Sequence, residues 1–167
     1  MILELAKATD PILRTPAQKF DFANPPLDPI ELSHNLAQTM VNKIGVGLAA
    51  NQVGLPWSVF VMGCGGGEVY CCYNPRIVNM STERVEMEEG CLSFPGLHLK
   101  IKRPIAIRVR YQQPNGEVVT KDFSGLTSRI FQHEYDHLQG KVFTEYMTRL
   151  ELDIAKRKAK KLLKQKG

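Results

Sequence analysis

His133-Glu134-Tyr135-Asp136-His137 sets two imidazoles four residues apart, with a carboxylate directly after the first. On an α-helix that separation is just over one turn, so both rings leave the same face and can grip one metal ion. The carboxylate of Glu134 then stands beside a water on that ion, an arrangement suited to metal-assisted hydrolysis. The pattern is short, and a surface helix carrying two solvated histidines has the same letters. The residues elsewhere in the chain must separate the two readings.

A catalytic site of this kind needs three protein ligands and one position left open. Downstream, Gly140 fits an extended histidine motif, but Phe143 stands where that motif needs a third histidine. Glu145 and Glu151 are the acids that remain on that side. Upstream, Glu89-Gly90-Cys91-Leu92-Ser93 sets a cysteine beside a glycine, in what reads as a loop entering a hairpin region. Core packing explains Cys91 poorly, and it is the better third candidate. Cys64, Cys71 and Cys72 form neither a CxxC pair nor a disulfide framework and read as packing residues of a reducing compartment. His34 has no partner at ligand spacing and reads as solvated.

The elements that must position these groups are legible in outline. Residues 8–16 carry two prolines and read as an extended surface arm. Asp28-Pro29-Ile30-Glu31 is a helix start, followed by an apolar stripe of Leu36, Ala37, Met40, Val41 and Ile44 that stops at Gly45. Gly45 and Gly47 allow the backbone to bend or to approach another group closely. Residues 57–62 and 69–78 read as strands, the second broken at Asn74-Pro75, with a glycine-rich turn at 63–67 between them. Alternation from Ile101 to Tyr111, then Pro114-Asn115-Gly116, then 118–123, predicts a β-hairpin. A helix spans about 124–138, with Gly140 as its stop. The order predicts an α+β fold, with antiparallel or mixed sheets folded around the helix that bears the His-Glu-x-x-His motif.

Composition excludes several classes. At 167 residues with 43% apolar and 23% charged residues, the chain is ordinary for one globular domain. No run nears the roughly 18 apolar residues of a membrane span, and the first residues lack the pattern of an export signal. A cytoplasmic location without membrane contact is therefore expected. The net charge of +5 is concentrated after residue 148, where eight basic residues face two acidic ones. The body is close to neutral, so a nucleic-acid-binding core is disfavoured and one basic element is favoured. The expected organisation is a catalytic domain at 1–148 and a basic amphipathic helix at 149–167, part of the same domain or an appendage to it, with Leu152, Ala155, Ala159 and Leu162 on one side.

Three stretches together resemble the signature motifs of the peptide deformylase family: Gly45-Val46-Gly47-Leu48-Ala49-Ala50-Asn51-Gln52, Glu89-Gly90-Cys91-Leu92-Ser93, and Gln132-His133-Glu134 through Gly140. The Asp10-Pro11-Ile12-Leu13-Arg14 arm is similar to the family's start. The resemblance implies that Cys91, His133 and His137 hold one divalent metal ion, with Fe(II) the usual physiological choice and Zn, Ni or Co compatible with the same ligands. A thiolate and two neutral imidazoles leave such an ion at a net positive charge, which acidifies a water bound to it.

It further implies removal of the formyl group from the N-terminal formyl-methionine of nascent chains, with Glu134 as general base and then acid. Gln52 and the backbone N–H of Leu92 would face the oxyanion. Carrying over the family's methionine pocket suggests Val46, Met87, Leu126, Ile130 and the ring of His133, with backbone groups of Gly47 and of 96–99 pairing with the peptide. Arg129 departs from an often apolar position and is expected at the pocket mouth; His98 replaces a common arginine. Gln132 and Asp136 read as supporting residues. The basic helix suits docking to ribosomal RNA. A His-Glu-x-x-His metalloprotease, or an inactive relative that only binds formylated termini, are the competing readings.

Overall fold

A computed structural model describes residues 1–63 and 67–166 of the chain. Cys64 and the Gly65-Gly66 part of the expected turn lie outside the described residues. Helix α1 (Pro29–Asn42) starts as the sequence requires, with Asp28 Oδ1 accepting the Glu31 N–H at 2.9 Å and Pro29 in the first turn. Strands β1 (Gly47–Ala49), β2 (Val59–Met62), β3 (Tyr70–Met80), β6 (Ala106–Gln112) and β7 (Val118–Ser124) form one sheet in the order β1-β2-β3-β6-β7. Strands β4 (Arg84–Cys91) and β5 (Phe94–Pro104) form a separate hairpin. Helix α2 (Gly125–Leu138) carries the His-Glu-x-x-His motif and lies between the two sheets; α3 (Arg149–Lys166) closes the chain. All these strand pairings are antiparallel. The fold is α+β, with the motif helix at its centre.

Burial explains the strand sequences. Every residue of β2 is buried, because the sheet is covered on both faces. Val59 and Val61 pack with Leu32, Leu36 and Met40 of α1, while Phe60 and Met62 pack with Ile130, Phe131 and Leu138 of α2. A third cluster joins Leu97, Leu99 and Ile101 of β5 to Phe143 and Ala159, so α3 covers the hairpin. Leu152 and Ala155 belong to that contact, whereas Leu162 is exposed; Leu163 lies over Gly96 instead.

Four local expectations change. The stretch 101–111 is two strands, not one. Arg103-Pro104 ends β5, and at Ile105 the chain crosses to the other sheet, its N–H donating to Glu83 O at 3.0 Å. Asn74-Pro75 does not end β3. It makes a bulge with Asn74 at φ +49°, and the Asn74 side chain bonds Phe20 and Gln112. The proline-rich arm is partly built in: residues Pro11–Arg14 form a short 3-10 turn capped by Asp10, and Leu13 and Phe20 are fully buried.

The stripe of α1 is rotated from expectation as well. Leu32, Leu36 and Met40 face the sheet, Val41 points to solvent, and Ile44 lies beyond the helix end. The helix stops in a paired turn: Gly45 N–H donates to Met40 O at 2.9 Å and Ile44 N–H to Val41 O at 3.0 Å. That turn puts Ile44 at φ +58°, a left-handed conformation that costs an L-residue with a Cβ about 1–2 kcal/mol.

Gly140 ends α2 at φ +74°, and a Cβ there would stand 2.9 Å from the backbone of Arg14 and Thr15. Gly54 has a similar φ of +78° but open space around it. Gly140→Ala is expected to lower the unfolding free energy by about 2–4 kcal/mol and Gly54→Ala by only about 1 kcal/mol. Urea denaturation of both variants checks this, and equal losses would refute the packing part of the explanation.

Candidate metal centre

His133, Glu134 and His137 are all buried on α2, with His133 and His137 facing the hairpin and Glu134 against β1. Cys91 comes from the end of β4, not from a loop as expected. A register shift between Gly90 and Cys91 re-aims the last residue of the strand toward the helix. Cys91 Sγ lies 3.3 Å from His137 Nε2, and the ligating atoms of Cys91, His133 and His137 lie within 4.8 Å of one another. They are the one such group among the described residues. Glu145 and Glu151 are spent elsewhere: their carboxylates accept the backbone N–H of Val142 (2.7 Å) and Thr148 (2.9 Å).

A network that the sequence reading did not assign holds this geometry. Glu89, two residues before Cys91, accepts from Arg103 Nε at 2.6 Å, Arg103 Nη2 at 2.9 Å and Arg129 Nη1 at 2.7 Å. Its Oε1 also lies 2.9 Å from His133 Nδ1, which leaves Nε2 of that ring turned toward Cys91. Arg103 continues to Asp136 Oδ2 at 2.8 Å, where the Tyr146 hydroxyl also donates at 2.7 Å. Burial alone would raise the Glu89 carboxyl, but its bonds from His133 and the two arginines hold it down to about 2. Glu89 stood in a quoted motif and so was findable; Arg103, inside Lys100-Ile101-Lys102-Arg103-Pro104, carries no local signal.

Arg129 is buried rather than at the pocket mouth. Its guanidinium also donates to Ile101 O (2.7 Å) and Val85 O (2.6 Å), tying α2 to both strands of the hairpin. Gln132 is a packing residue, donating to Pro104 O at 2.9 Å and Ser128 Oγ at 2.9 Å.

From the other side, Gln52 is fixed by Ala49 N–H on its Oε1 (2.9 Å), and its Nε2 lies 3.0 Å from Ser93 Oγ and 3.5 Å from Cys91 Sγ. Asn51 Nδ2 donates to His137 O at 2.6 Å. Gly47 abuts Glu134 so closely that a Cβ would stand 2.5 Å from Oε1. Glu134 is buried, its Oε2 has no hydrogen-bond partner, and burial pushes its carboxyl up to about 7. Burial, and after it the positive charges of His133 and Arg103, hold His137 well below its ordinary value.

The site opens into a cavity of about 580 Å³. Val46, Gly47, Leu126, Ile130 and His133 line it, with Leu92 and Arg129. Met87 does not line it. Met87 pairs with Ile101 in the hairpin, and Arg129, which does line the cavity, donates to the Ile101 carbonyl. His98 is exposed at the cavity, 3.6 Å from the Glu88 carboxylate, and His34 is solvent-exposed.

The donor set fits a divalent ion: one thiol and two imidazoles converge, and a buried carboxylate oxygen without a partner lies beside them. Comparison with known proteins gives the family. The family model for polypeptide deformylase matches residues 2–153. The chain is 35% identical to a peptide deformylase of Bartonella tribocorum, over 98% of this chain and 94% of that one. To the Thermotoga maritima peptide deformylase it is 42% identical, over 78% of each. A crystal structure of a peptide deformylase from Synechococcus elongatus in complex with actinonin superposes with a TM-score of 0.87 at 33% identity, covering 93% of this chain and 86% of that one.

Because Glu89 orients His133, Glu89→Gln is expected to weaken zinc binding by about 10–100-fold. Competition with a chromophoric chelator measures this; unchanged affinity would remove Glu89 from the positioning of the site.

Proposed function

From the premise that this chain belongs to the polypeptide deformylase family, we propose that Cys91, His133 and His137 are its metal ligands and that Glu134 moves the proton. The protein is a hydrolase that removes the formyl group from the N-terminal formyl-methionine of new polypeptides, releasing formate. The metalloprotease and the inactive-binder readings do not hold against a family match that runs across nearly the whole chain. The observation that carries the residue assignment is the meeting of a thiol from β4 with two imidazoles from α2, beside a buried carboxylate whose Oε2 lacks a partner.

A divalent ion bound by this trio supplies Lewis acidity and lowers the pKa of water at the site. The donor types suit Fe(II), which we take as the physiological ion, and also Zn, Ni and Co. Glu134, buried beside Gly47, accepts a proton from the attacking water and delivers it to the departing amine. Gln52 donates toward the developing oxyanion. One of its N–H groups is held by Ser93, while the long 3.5 Å contact to Cys91 Sγ is weak enough for the substrate oxygen to replace. The Leu92 N–H is the second donor. The methionine side chain takes the part of the cavity lined by Val46, Leu126, Ile130 and the His133 ring. The peptide beyond it runs past Gly47 and residues 96–99 as an added strand.

Two further readings complete the proposal. The protein works in the cytoplasm; no helix among the described residues is long and apolar enough to cross a membrane. Helix α3 docks on the ribosome. Its inner side covers Leu97 and Leu99, and Lys156, Arg157, Lys158, Lys160, Lys161 and Lys164 are exposed around the rest.

Formyl-Met-Ala-Ser assayed for formate tests the assignment. Glu134→Ala is expected to cut turnover by about 10²–10⁴-fold while metal content is kept. Cys91→Ala is expected to lose both metal and turnover, and a fully active Cys91→Ala would refute the ligand set. For α3, deletion would uncover the Leu97 cluster, so charge is the cleaner variable. Lys156→Glu, Lys160→Glu and Lys164→Glu together are expected to leave formate release intact and to weaken cosedimentation with ribosomes at low salt. Unweakened cosedimentation removes the docking reading.

A further inference from the structure

Ile44 occupies the helix-ending position that glycine or asparagine usually takes, at φ +58°. A β-branched side chain is a clear outlier in that region, since its Cβ crowds the following carbonyl. No packing offsets the strain, because the side chain is 92% exposed. The backbone around it has no room to relax. The Ile44 and Gly45 N–H groups are both tied back to α1, to Val41 O and Met40 O, and the Cα of Gly45 faces the Leu92 side chain, which leaves little space for a side chain at 45.

A strained backbone and an isoleucine left in water both oppose the stability of the free protein. They coincide on a residue at the rim of the cavity that leads to Cys91, His133 and Glu134. The apolar neighbours Leu5, Val46 and Leu92 line the same cavity, and Val46 is itself half exposed. Leu92 directly follows Cys91, and Ile44, Gly45, Leu92 and Cys91 line one cavity. Apolar surface held rigidly at a cavity rim leaves water only when a ligand with apolar side chains lies against it.

We propose that Ile44 is a specificity-determining residue. It contacts the peptide beyond its methionine and favours apolar side chains within the first two residues that follow. This rests on the deformylase reading above. The cost of the left-handed isoleucine is carried by the free enzyme, and contact with peptide offsets it.

The test is Ile44→Asn, with Ile44→Gly as a second variant, since both residues accept the left-handed conformation. The melting temperature of Ile44→Asn is expected to rise by about 2–4 °C. KM for formyl-Met-Leu-Leu-Ser is expected to rise about tenfold in both variants with kcat kept, whereas KM for formyl-Met-Ala-Ala-Ser changes less than about twofold. Calorimetric binding of the same two peptides to Glu134→Ala, with and without Ile44→Asn, gives the comparison without turnover. Absent formate release by the wild type therefore counts against the deformylase reading and leaves this inference separately measurable. A KM and affinity ratio between the two peptides that the variants do not change overturns the proposal. A melting temperature that falls in Ile44→Asn does so too, because it would mean the isoleucine is held by contacts in the free protein.

Discussion

The carboxylate of Glu89 is where the two halves of this molecule meet. It leaves water between two guanidinium groups and an imidazole, and none of the four groups could be buried alone at tolerable cost. Arg103 and Glu89 come from the two strands of the hairpin; Arg129 and His133 come from α2. Pairing them fixes the hairpin against the helix, and with it the only geometry in which a thiol from one can face two imidazoles from the other. Buried ion pairs of this kind contribute little net stability compared with apolar packing. Here they define one relative position of two elements that hydrophobic contact alone would allow to slide.

The rest of the fold holds the opposite side of the site. Strand β2 is sandwiched between α1 and α2, so the sheet presents β1, Gln52 and Gly47 to the motif helix without freedom to shift. Gly47 lets the backbone of β1 touch the Glu134 carboxylate, which shields that group from solvent, and its Oε2 is left without a hydrogen-bond partner. Helix α3 divides its roles by face. Its apolar side completes the core under β5, and its basic side remains in water, so one element serves both packing and charge. At the rim the reverse holds for Ile44, where apolar surface and backbone strain are kept in the free protein instead of being relieved.

Much of the arrangement was legible before any coordinates. The helix start at Asp28-Pro29, the Pro114-Asn115-Gly116 hairpin and the Gly140 stop are local chemistry, and each appears where the chain writes it. The two-histidine face of α2 follows from helical periodicity alone. The expectations that shifted were those set by neighbours. Continuous alternation through Ile105 concealed a change of sheet, Val41 and Ile44 extended a stripe beyond its buried face, and Met87 does not reach the cavity while Arg129 does.

The sequence by itself determined which atoms could do chemistry: a thiol, two imidazoles on one helical face, and a carboxylate next to the first. Those depend on residue type and on spacing of a few positions, which the covalent chain sets. Only the tertiary structure decided that Glu89, Arg103 and Arg129 support His133, that Glu134 Oε2 is without a hydrogen-bond partner, and that Ile44 is strained. Each of those is a relation between elements far apart in the chain. It comes from desolvation and close packing that exist only once the sheets have closed around α2.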